Sequence, residues 1–311
     1  MTRLNKILLI ICSVVVVRFC LIGVELVHAQ QKTVVIAAVG DIACDPASPH
    51  FNNGHGDKGL CQMEATAKLT SKIANLQAVL PLGDNQYEKA TLTDFQASYD
   101  PSWGRFNKIA YPVAGNHEYQ TKNAQGYYQY YGSRAHDPTK GYYSYDLGNW
   151  HLIALNSNCQ EVGGCGPNSP QEKWLLDDLA THKNFCTIAY WHHPRFSSGT
   201  HGNYLELSTF WQDLYQAKVE LVLVGHDHLY ERFARQNPDE KLDPQAGIRE
   251  IVIGTGGKNH YGFGNIKPNS QVRNADTYGV LKLNLAKGSY SWEFLASEDG
   301  KFTDKGTETC F

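Results

Sequence analysis

Apolar residues in this chain gather into runs of five to seven, too short for a helix of several turns and of the length of buried strands. Five of these runs end alike. Thr33–Val39 leads into Gly40-Asp41, Ala78–Leu82 into Gly83-Asp84, and Ile109–Ala114 into Gly115-Asn116-His117-Glu118. Cys186–Trp191 leads into His192-His193-Pro194, and Val219–Val224 into Gly225-His226-Asp227-His228. A side chain placed where a buried strand stops can reach a site above the sheet edge. One Asp in such a place is usually a turn or a helix cap. Five strand ends that deliver Asp, Asp, Asn, His and His amount to an inventory of metal ligands.

Helical periodicity fills the gaps between the runs. Glu64–Asn75 carries Ala65, Leu69 and Ile73 on one face, Thr93–Tyr99 predicts a short helix, and Leu205–Ala217 another. Ser169-Pro170-Gln171-Glu172 is a helix start, with Ser as N-cap, Pro at the first position and Glu closing a capping box. Trp174, Leu175 and Leu179 give that helix a buried face. The strand–helix–strand order predicts parallel pairing with helices packed outside. Two hairpins depart from it: Tyr142–Asp146 with His151–Asn156, and Tyr278–Leu285 with Ser289–Leu295. Ile248–Ile253 is a further strand. Gly254-Thr255-Gly256-Gly257 lacks the Lys and Ser/Thr of a phosphate-binding loop and reads as a turn. Tyr127, Tyr128, Tyr130 and Tyr131 read as an amphipathic aromatic wall, with a substrate mouth as the alternative. The expected class is α/β, one domain in which two mixed β-sheets are flanked by helices, with the metal site at the C-terminal ends of the strands.

Residues 1–29 stand apart. Arg3 and Lys6 precede the apolar stretch Ile7–Val17, and Val27-His28-Ala29 offers small-residue cleavage, the pattern of a secretory signal. Arg18 and Glu25 argue against a permanent membrane span. Removing 29 of 311 residues leaves 282 as residues 30–311, enough for one large domain. It also moves the formal charge from −3 to −5, because Arg3, Lys6, Arg18 and Glu25 leave together. A mildly acidic chain without a basic run is not built for nucleic acid. Of eight cysteines, six remain: Cys44, Cys61, Cys159, Cys165, Cys186 and Cys310. An even number in an exported chain predicts disulfides, and six cysteines allow 15 pairings. Local spacing favours Cys44–Cys61 and Cys159–Cys165, which leaves Cys186 for Cys310. None has the Cys-x-x-Cys spacing of a zinc site.

Oxygen and imidazole ligands of this kind suit iron, manganese or zinc. A carboxylate can hold two cations through its two oxygens, and Asp84, at the middle of the set, is the candidate bridge. Two cations about 3.5–4 Å apart can clamp a phosphate and generate hydroxide near neutral pH.

The five blocks, in this order over residues 40–228, resemble those of the calcineurin-like metallophosphoesterases. Many members carry Asp-x-His in the first block, whereas the third position here is Ala43. Tyr87, three residues after Asp84, resembles the tyrosine that purple acid phosphatases carry there. The run His226-Asp227-His228-Leu229-Tyr230-Glu231-Arg232 is also similar to that subfamily's fifth block. No separate β-sandwich domain precedes the blocks, in contrast to the longer members, so their dimer is not an expectation here.

The resemblance implies a four-layer α-β-β-α sandwich. It implies that Asp41, Asp84, Tyr87 and His228 hold a first metal, and Asp84, Asn116, His192 and His226 a second. A phenolate ligand suits Fe(III), so the implied pair is Fe(III) beside divalent Fe, Zn or Mn. His117 and His201 resemble the family's outer pair, which binds the phosphate and protonates the leaving oxygen. The expected function is an exported phosphatase acting on small phosphomonoesters through in-line attack by a metal-bound hydroxide. A phosphodiesterase on the same site and a catalytically silent metal-binding surface protein are the competing readings. Natural substrate and oligomeric state are left open.

Overall fold

The computed structural model describes residues 33–57, 59–182, 186–297 and 300–311. The predicted signal segment lies outside the described residues. Among them, no helix is long and apolar enough to cross a membrane.

Two mixed sheets form the centre. The first has five strands in the order β12-β11-β10-β1-β2, where β1 is Val34–Val39, β2 Leu76–Pro81, β10 Gly279–Ala286, β11 Ser289–Ala296 and β12 Lys305–Thr309. The second has seven in the order β3-β4-β5-β6-β8-β7-β9. Its strands are β3 Tyr143–Leu147, β4 Trp150–Ala154, β5 Cys186–Tyr190, β6 Leu221–Val224, β7 Tyr230–Phe233, β8 Arg249–Ile253 and β9 Ser270–Asn274. The parallel pairs β1/β2, β4/β5, β5/β6 and β6/β8 and the hairpins β3/β4 and β10/β11 follow the expected rhythm.

The period-2 alternation of buried strands divides the second sheet between two apolar clusters. Leu152, Ile188, Leu221 and Ile251 join the cluster shared with the first sheet. Ile153, Ala189, Val222 and Val252 face the other way, onto Leu175 of helix Pro170–Thr181 and Phe210, Trp211 and Leu214 of helix Ser208–Gln216. Helix Met63–Ser71 contributes Met63 and Ala67 to the cluster of the first sheet. This is the two-sheet architecture with outer helices that the sequence predicts.

Several elements differ in detail. Ile109–Ala114 is not a strand of either sheet. It runs beside β2 with single bridges Val79–Ala110 and Leu82–Val113; Tyr111 and Val113 donate to the Val79 and Pro81 carbonyls, but Pro81 of β2 has no N–H to return a bond and continue the ladder. Helix Pro170–Thr181 is capped by Ser169 as predicted, but Glu172 reaches the N–H of Asn168, one residue earlier than a capping box requires. Helix Met63–Ser71 stops short of Asn75, and the first turn of Leu205–Ala217 is the tighter 3-10 form. Strands β7, β9 and β12 are short or polar and have no counterpart in the sequence reading. The tyrosines form the wall: Tyr127 and Tyr131 are buried, and Tyr131 packs edge-on to Phe95 and Tyr99.

All three expected disulfides form: Cys44–Cys61, Cys159–Cys165 and Cys186–Cys310. The last joins β5 of one sheet to the chain just beyond β12 of the other across 124 residues. In the chain-entropy picture a closure of that size stabilises by about 4–5 kcal/mol.

A polar clasp fixes the β3/β4 hairpin to helix Pro170–Thr181. His151 Nδ1 lies 2.7 Å from Asp146 Oδ1, and Nε2 lies 2.7 Å from Asp178 Oδ2. Both carboxylates only accept, so both ring nitrogens carry protons. Burial disfavours that cation, yet the bonds to Asp178 and Asp146 outweigh it and raise the His151 pKa. The Asp178 carboxyl is lowered: burial opposes this, and His151 and Ser144 prevail. The aspartate contribution is lost as pH falls through its lowered value. The histidine contribution is lost as pH rises through its raised value. The clasp is therefore complete from about pH 4 to 6.5. Replacing His151 with Gln should cost about 2–3 kcal/mol of unfolding free energy at pH 5.5. Urea titrations should show the gap to wild type narrowing as pH rises above neutrality.

Candidate metal centre

The strand ends of the two sheets open toward one another at the same end of the molecule. Asp41 follows β1 and Asp84 follows β2 of the first sheet; His192 follows β5 and His226 follows β6 of the second. Three of these four leave their strands in the left-handed region, Asp41 at φ 62°, Asp84 at 45° and His226 at 70°. Each such non-glycine residue costs about 1 kcal/mol or more and persists only where the surroundings over-determine it. The surroundings do so here. Asp41 Oδ2 accepts the His226 N–H at 2.8 Å, tying the two sheets together. Asp84 Oδ1 accepts the His117 N–H at 2.8 Å.

Glycine is required beside two of these side chains by close approach. A Cβ on Gly115 would stand 2.2 Å from Asp84 Oδ1, and one on Gly225 would stand 2.6 Å from Asp41 Oδ2. The Gly-Asn and Gly-His pairs of the sequence are thus packing necessities around the carboxylates.

Donor atoms converge in two groups. In the first, Tyr87 Oη lies 2.8 Å from Asp41 Oδ1 and 2.9 Å from His228 Nε2, and those two lie 3.2 Å apart. In the second, His192 Nε2 lies 3.2 Å from Asn116 Oδ1, 3.2 Å from His226 Nδ1 and 3.4 Å from Asp84 Oδ2. Donor atoms of Asp41, Asp84 and His192 also fall within 4.8 Å of one another, which joins the groups. Ligands about 2.1 Å from a cation and roughly at right angles to each other stand about 3.0–3.4 Å apart. The observed spacings fit that edge length, and the donors are all hard or borderline. These residues could hold two cations with Asp84 between them.

The imidazoles are held in the tautomers that such binding needs. His192 Nδ1 donates to the Leu82 carbonyl at 2.8 Å, which turns Nε2 inward. His228 Nδ1 faces Asn259 Oδ1 at 3.0 Å, again leaving Nε2 for the site. His226 is reversed: Nε2 meets the Tyr204 hydroxyl at 2.7 Å and Nδ1 points to His192. Such outer partners fix ring orientation and basicity.

Burial works against the Asp84 anion, but His192, His117 and His226 hold its carboxyl well below the ordinary range. Burial lowers the His192 pKa, yet Asp84 lifts it to about 9. The Tyr87 hydroxyl is pushed well above 10 by burial and by the Asp41 and Asp84 charges. It therefore donates a proton to Asp41 unless a strong Lewis acid displaces it.

His117 lies at the Tyr87 side, with ring centroids 4.3 Å apart, and Nδ1 engaged by the Glu88 carbonyl at 2.6 Å. His201 lies at the His226 side, with ring centroids 4.3 Å apart, and Nδ1 bound to Asp227 Oδ1 at 2.8 Å. His117 Nε2 lies 3.9 Å from Asp84 Oδ2. His193 contributes differently: Nδ1 meets Ser157 Oγ, and its ring packs between Tyr204 and His226.

Sequence reasoning gave no role to Glu118, although it stands in the third block. Its fully buried carboxylate accepts four backbone N–H groups: Gly115 at 2.6 Å, Asp84 at 2.9 Å, Asn85 at 2.9 Å and Gln86 at 3.3 Å. Burial and the Asp84 charge raise its pKa to about 8, against the four donors that favour the anion. Tyr204 and Asn259 were also missed, and nothing in their local sequence marks them.

An α/β sandwich whose two sheets present joined groups of oxygen and imidazole donors at one end is a fold of the two-metal hydrolase kind. The chain belongs to the calcineurin-like phosphoesterase family, which matches residues 34–230. It is 29% identical over 183 residues to purple acid phosphatase 23 of Arabidopsis thaliana, covering 51% of this chain and 38% of that one. It is 30% identical over 213 residues to Fe(3+)-Zn(2+) purple acid phosphatase 12 of Arabidopsis thaliana, covering 58% and 44%. The matched region thus spans less than half of either relative. Among solved structures, purple acid phosphatase PPD1 from yellow lupin (Lupinus luteus) seeds superposes with a TM-score of 0.72 at 17% identity. That match covers 90% of this chain and 54% of PPD1. GAP50, the anchor in the inner membrane complex of Plasmodium, superposes at 0.62 with 15% identity over 90% of this chain and 89% of its own. These two likenesses are of fold.

Replacing Glu118 with Gln sets an amide NH2 against four N–H donors. The variant should lose about 2–4 kcal/mol of unfolding free energy and bind less metal than wild type. Retention of full stability and full metal content would remove Glu118 from its place at the centre of the site.

Proposed function

We propose that this chain hydrolyses phosphomonoesters at a centre of two cations. Asp41, Asp84, Tyr87 and His228 hold the first cation, and Asp84, Asn116, His192 and His226 the second. The observation that carries this reading is the pair of donor groups at ligand–ligand spacing, joined through Asp84 and His192. Bound cations would supply Lewis acidity toward phosphoryl oxygens and lower the pKa of water.

The chain's own residues do the rest. In hydrolysis a water oxygen bonds to phosphorus and gives up a proton to solvent, the ester P–O bond breaks with its electron pair to the alcohol oxygen, and that oxygen takes a proton. His117 and His201, each with Nδ1 committed and its ring packed against a ligand residue, are the groups placed to bind the phosphoryl oxygens and to give that proton. Asp227 accepts from His201 Nδ1, from its backbone N–H and from Ser197 Oγ, and so orients the ring. Tyr87 supports Fe(III) at the first position, because a phenolate is a hard, anionic donor suited to a highly charged cation. The second cation is divalent Fe, Zn or Mn.

Three disulfides support folding outside the reducing cytoplasm, and residues 1–29 are the proposed export signal.

Two measurements test the reading. The metal-loaded protein should turn over p-nitrophenyl phosphate at least roughly tenfold faster than bis(p-nitrophenyl) phosphate, and a chelator should abolish the activity. The reverse ratio would make the chain a phosphodiesterase, and turnover of neither would sink the enzyme reading. Separately, iron-loaded protein should absorb in the visible through phenolate-to-iron charge transfer. Tyr87→Phe should lose that band, and an unchanged spectrum would reject Tyr87 as a ligand.

A further inference from the structure

The phosphate of a phosphomonoester is common to every substrate of the class, so selectivity rests on where the alcohol goes. One cavity opens directly from the donor set. Its volume is about 350 Å³, and Asn116 forms part of its wall. Tyr204, hydrogen-bonded to His226, and His193, whose ring centroid lies 4.5 Å from that of His226, line it as well. A phosphoryl group at the centre thus lies next to this hollow.

The cavity is built rather than incidental. Asn158 is buried and held by the Ala114 carbonyl at 3.1 Å and by Asn156 Oδ1 at 2.9 Å. The Tyr119 hydroxyl accepts from Asn156 Nδ2 at 2.7 Å. The outer wall is the loop closed by the Cys159–Cys165 disulfide and by the Gly164 N–H to Cys159 carbonyl bond at 2.7 Å. A second hollow of about 380 Å³ adjoins it, sharing Cys159, Gln160 and Glu206.

Charge is what distinguishes these walls. Glu161 and Glu206 are exposed carboxylates at the cavity, and neither hollow has a lysine or arginine among its lining residues. Tyr119 and Tyr204 belong to the same lining. Lys258, on the Tyr87 side of the centre, is paired with Glu88. Carboxylates combined with aromatic rings form a receptor for ammonium groups and oppose a second anion.

We propose that this cavity is the leaving-group subsite, and that it selects phosphomonoesters of small cationic alcohols, the amino and quaternary ammonium alcohols, over those of anionic alcohols. The assignment rests on the phosphomonoesterase reading for its catalytic consequence. The cation-binding cavity itself stands on the residues just named.

Turnover and binding are measured side by side on the metal-loaded protein. At low ionic strength, kcat/KM for phosphocholine and phosphoethanolamine should exceed that for glycerol phosphate by roughly tenfold, and that for phosphoglycerate by more. Most of the difference should lie in KM and should shrink with added salt. The double variant Glu161→Gln/Glu206→Gln should abolish the preference through a rise in KM for the two cationic substrates, with metal content at the wild-type level. Calorimetric titration with choline in the presence of inorganic phosphate should detect binding to wild type and none to the variant. A phosphocholine preference absent from wild type, a variant that lowers all substrates equally, or no choline binding would each overturn the assignment. Loss of p-nitrophenyl phosphate turnover in wild type would sink the phosphomonoesterase reading alone, because the choline titration is read without turnover.

Discussion

Four backbone N–H groups from two separate loops point at one buried carboxylate, that of Glu118. None of these donors has a nearer acceptor, and at this depth water cannot replace it, so removing the carboxylate would leave several buried donors unpaired. The bonds hold the turn after β2 against the turn at Gly115. That fixes where Asp84, Tyr87, Asn116 and His117 stand relative to each other. The Asp41 carboxylate does the corresponding work between the sheets by accepting the His226 N–H. With both links in place, residues far apart in the chain come within ligand distance, and three of them keep a backbone conformation they would not adopt alone.

The same geometry sets the electrostatics. Buried carboxylates and imidazoles compensate one another, which is why Asp84 stays ionised and His192 holds a proton until something more strongly charged takes its place. A metal arriving at such a site must displace protons, so its affinity depends on pH. Tyr87 is the extreme case, a phenol kept neutral by two anions and by burial. The charged residues of the rim lie outside this balance. They are exposed, screened by salt, and free to differ without disturbing the donor set. Substrate choice can therefore vary on a constant centre.

Much of the site was legible because its information is local. A buried run that ends in Gly-Asp or Gly-His states both where the strand stops and which donor is delivered, and the structure brings those donors together. The cap at Ser169 and the two short-range cystine pairs are equally local. Glu118 lay inside a recognised block without a role, because a glutamate after Asn-His looks the same whether it faces water or four amides. Ile109–Ala114 looked like a strand, and Pro81 of the neighbouring β2, which has no N–H to return a bond, keeps it from building a ladder. Strands β7, β9 and β12 carry too little apolar alternation to announce themselves, since they are defined by the edges they pair with.

The sequence by itself determined the α/β class, the two-sheet architecture and the donor inventory, all of them set by residues within one strand, turn or loop of each other; among the 15 cystine pairings it only favoured the one that the structure selects. Tertiary structure alone decided which nitrogen of each imidazole faces the centre, that Tyr204 and Asn259 orient two of them, that the Asp41 carboxylate joins the sheets, and that an acidic, cation-free cavity opens beside Asn116. The reason is separation. These contacts link positions from about 20 to nearly 190 residues apart, and no periodicity within a segment records which distant partner its side chains will meet.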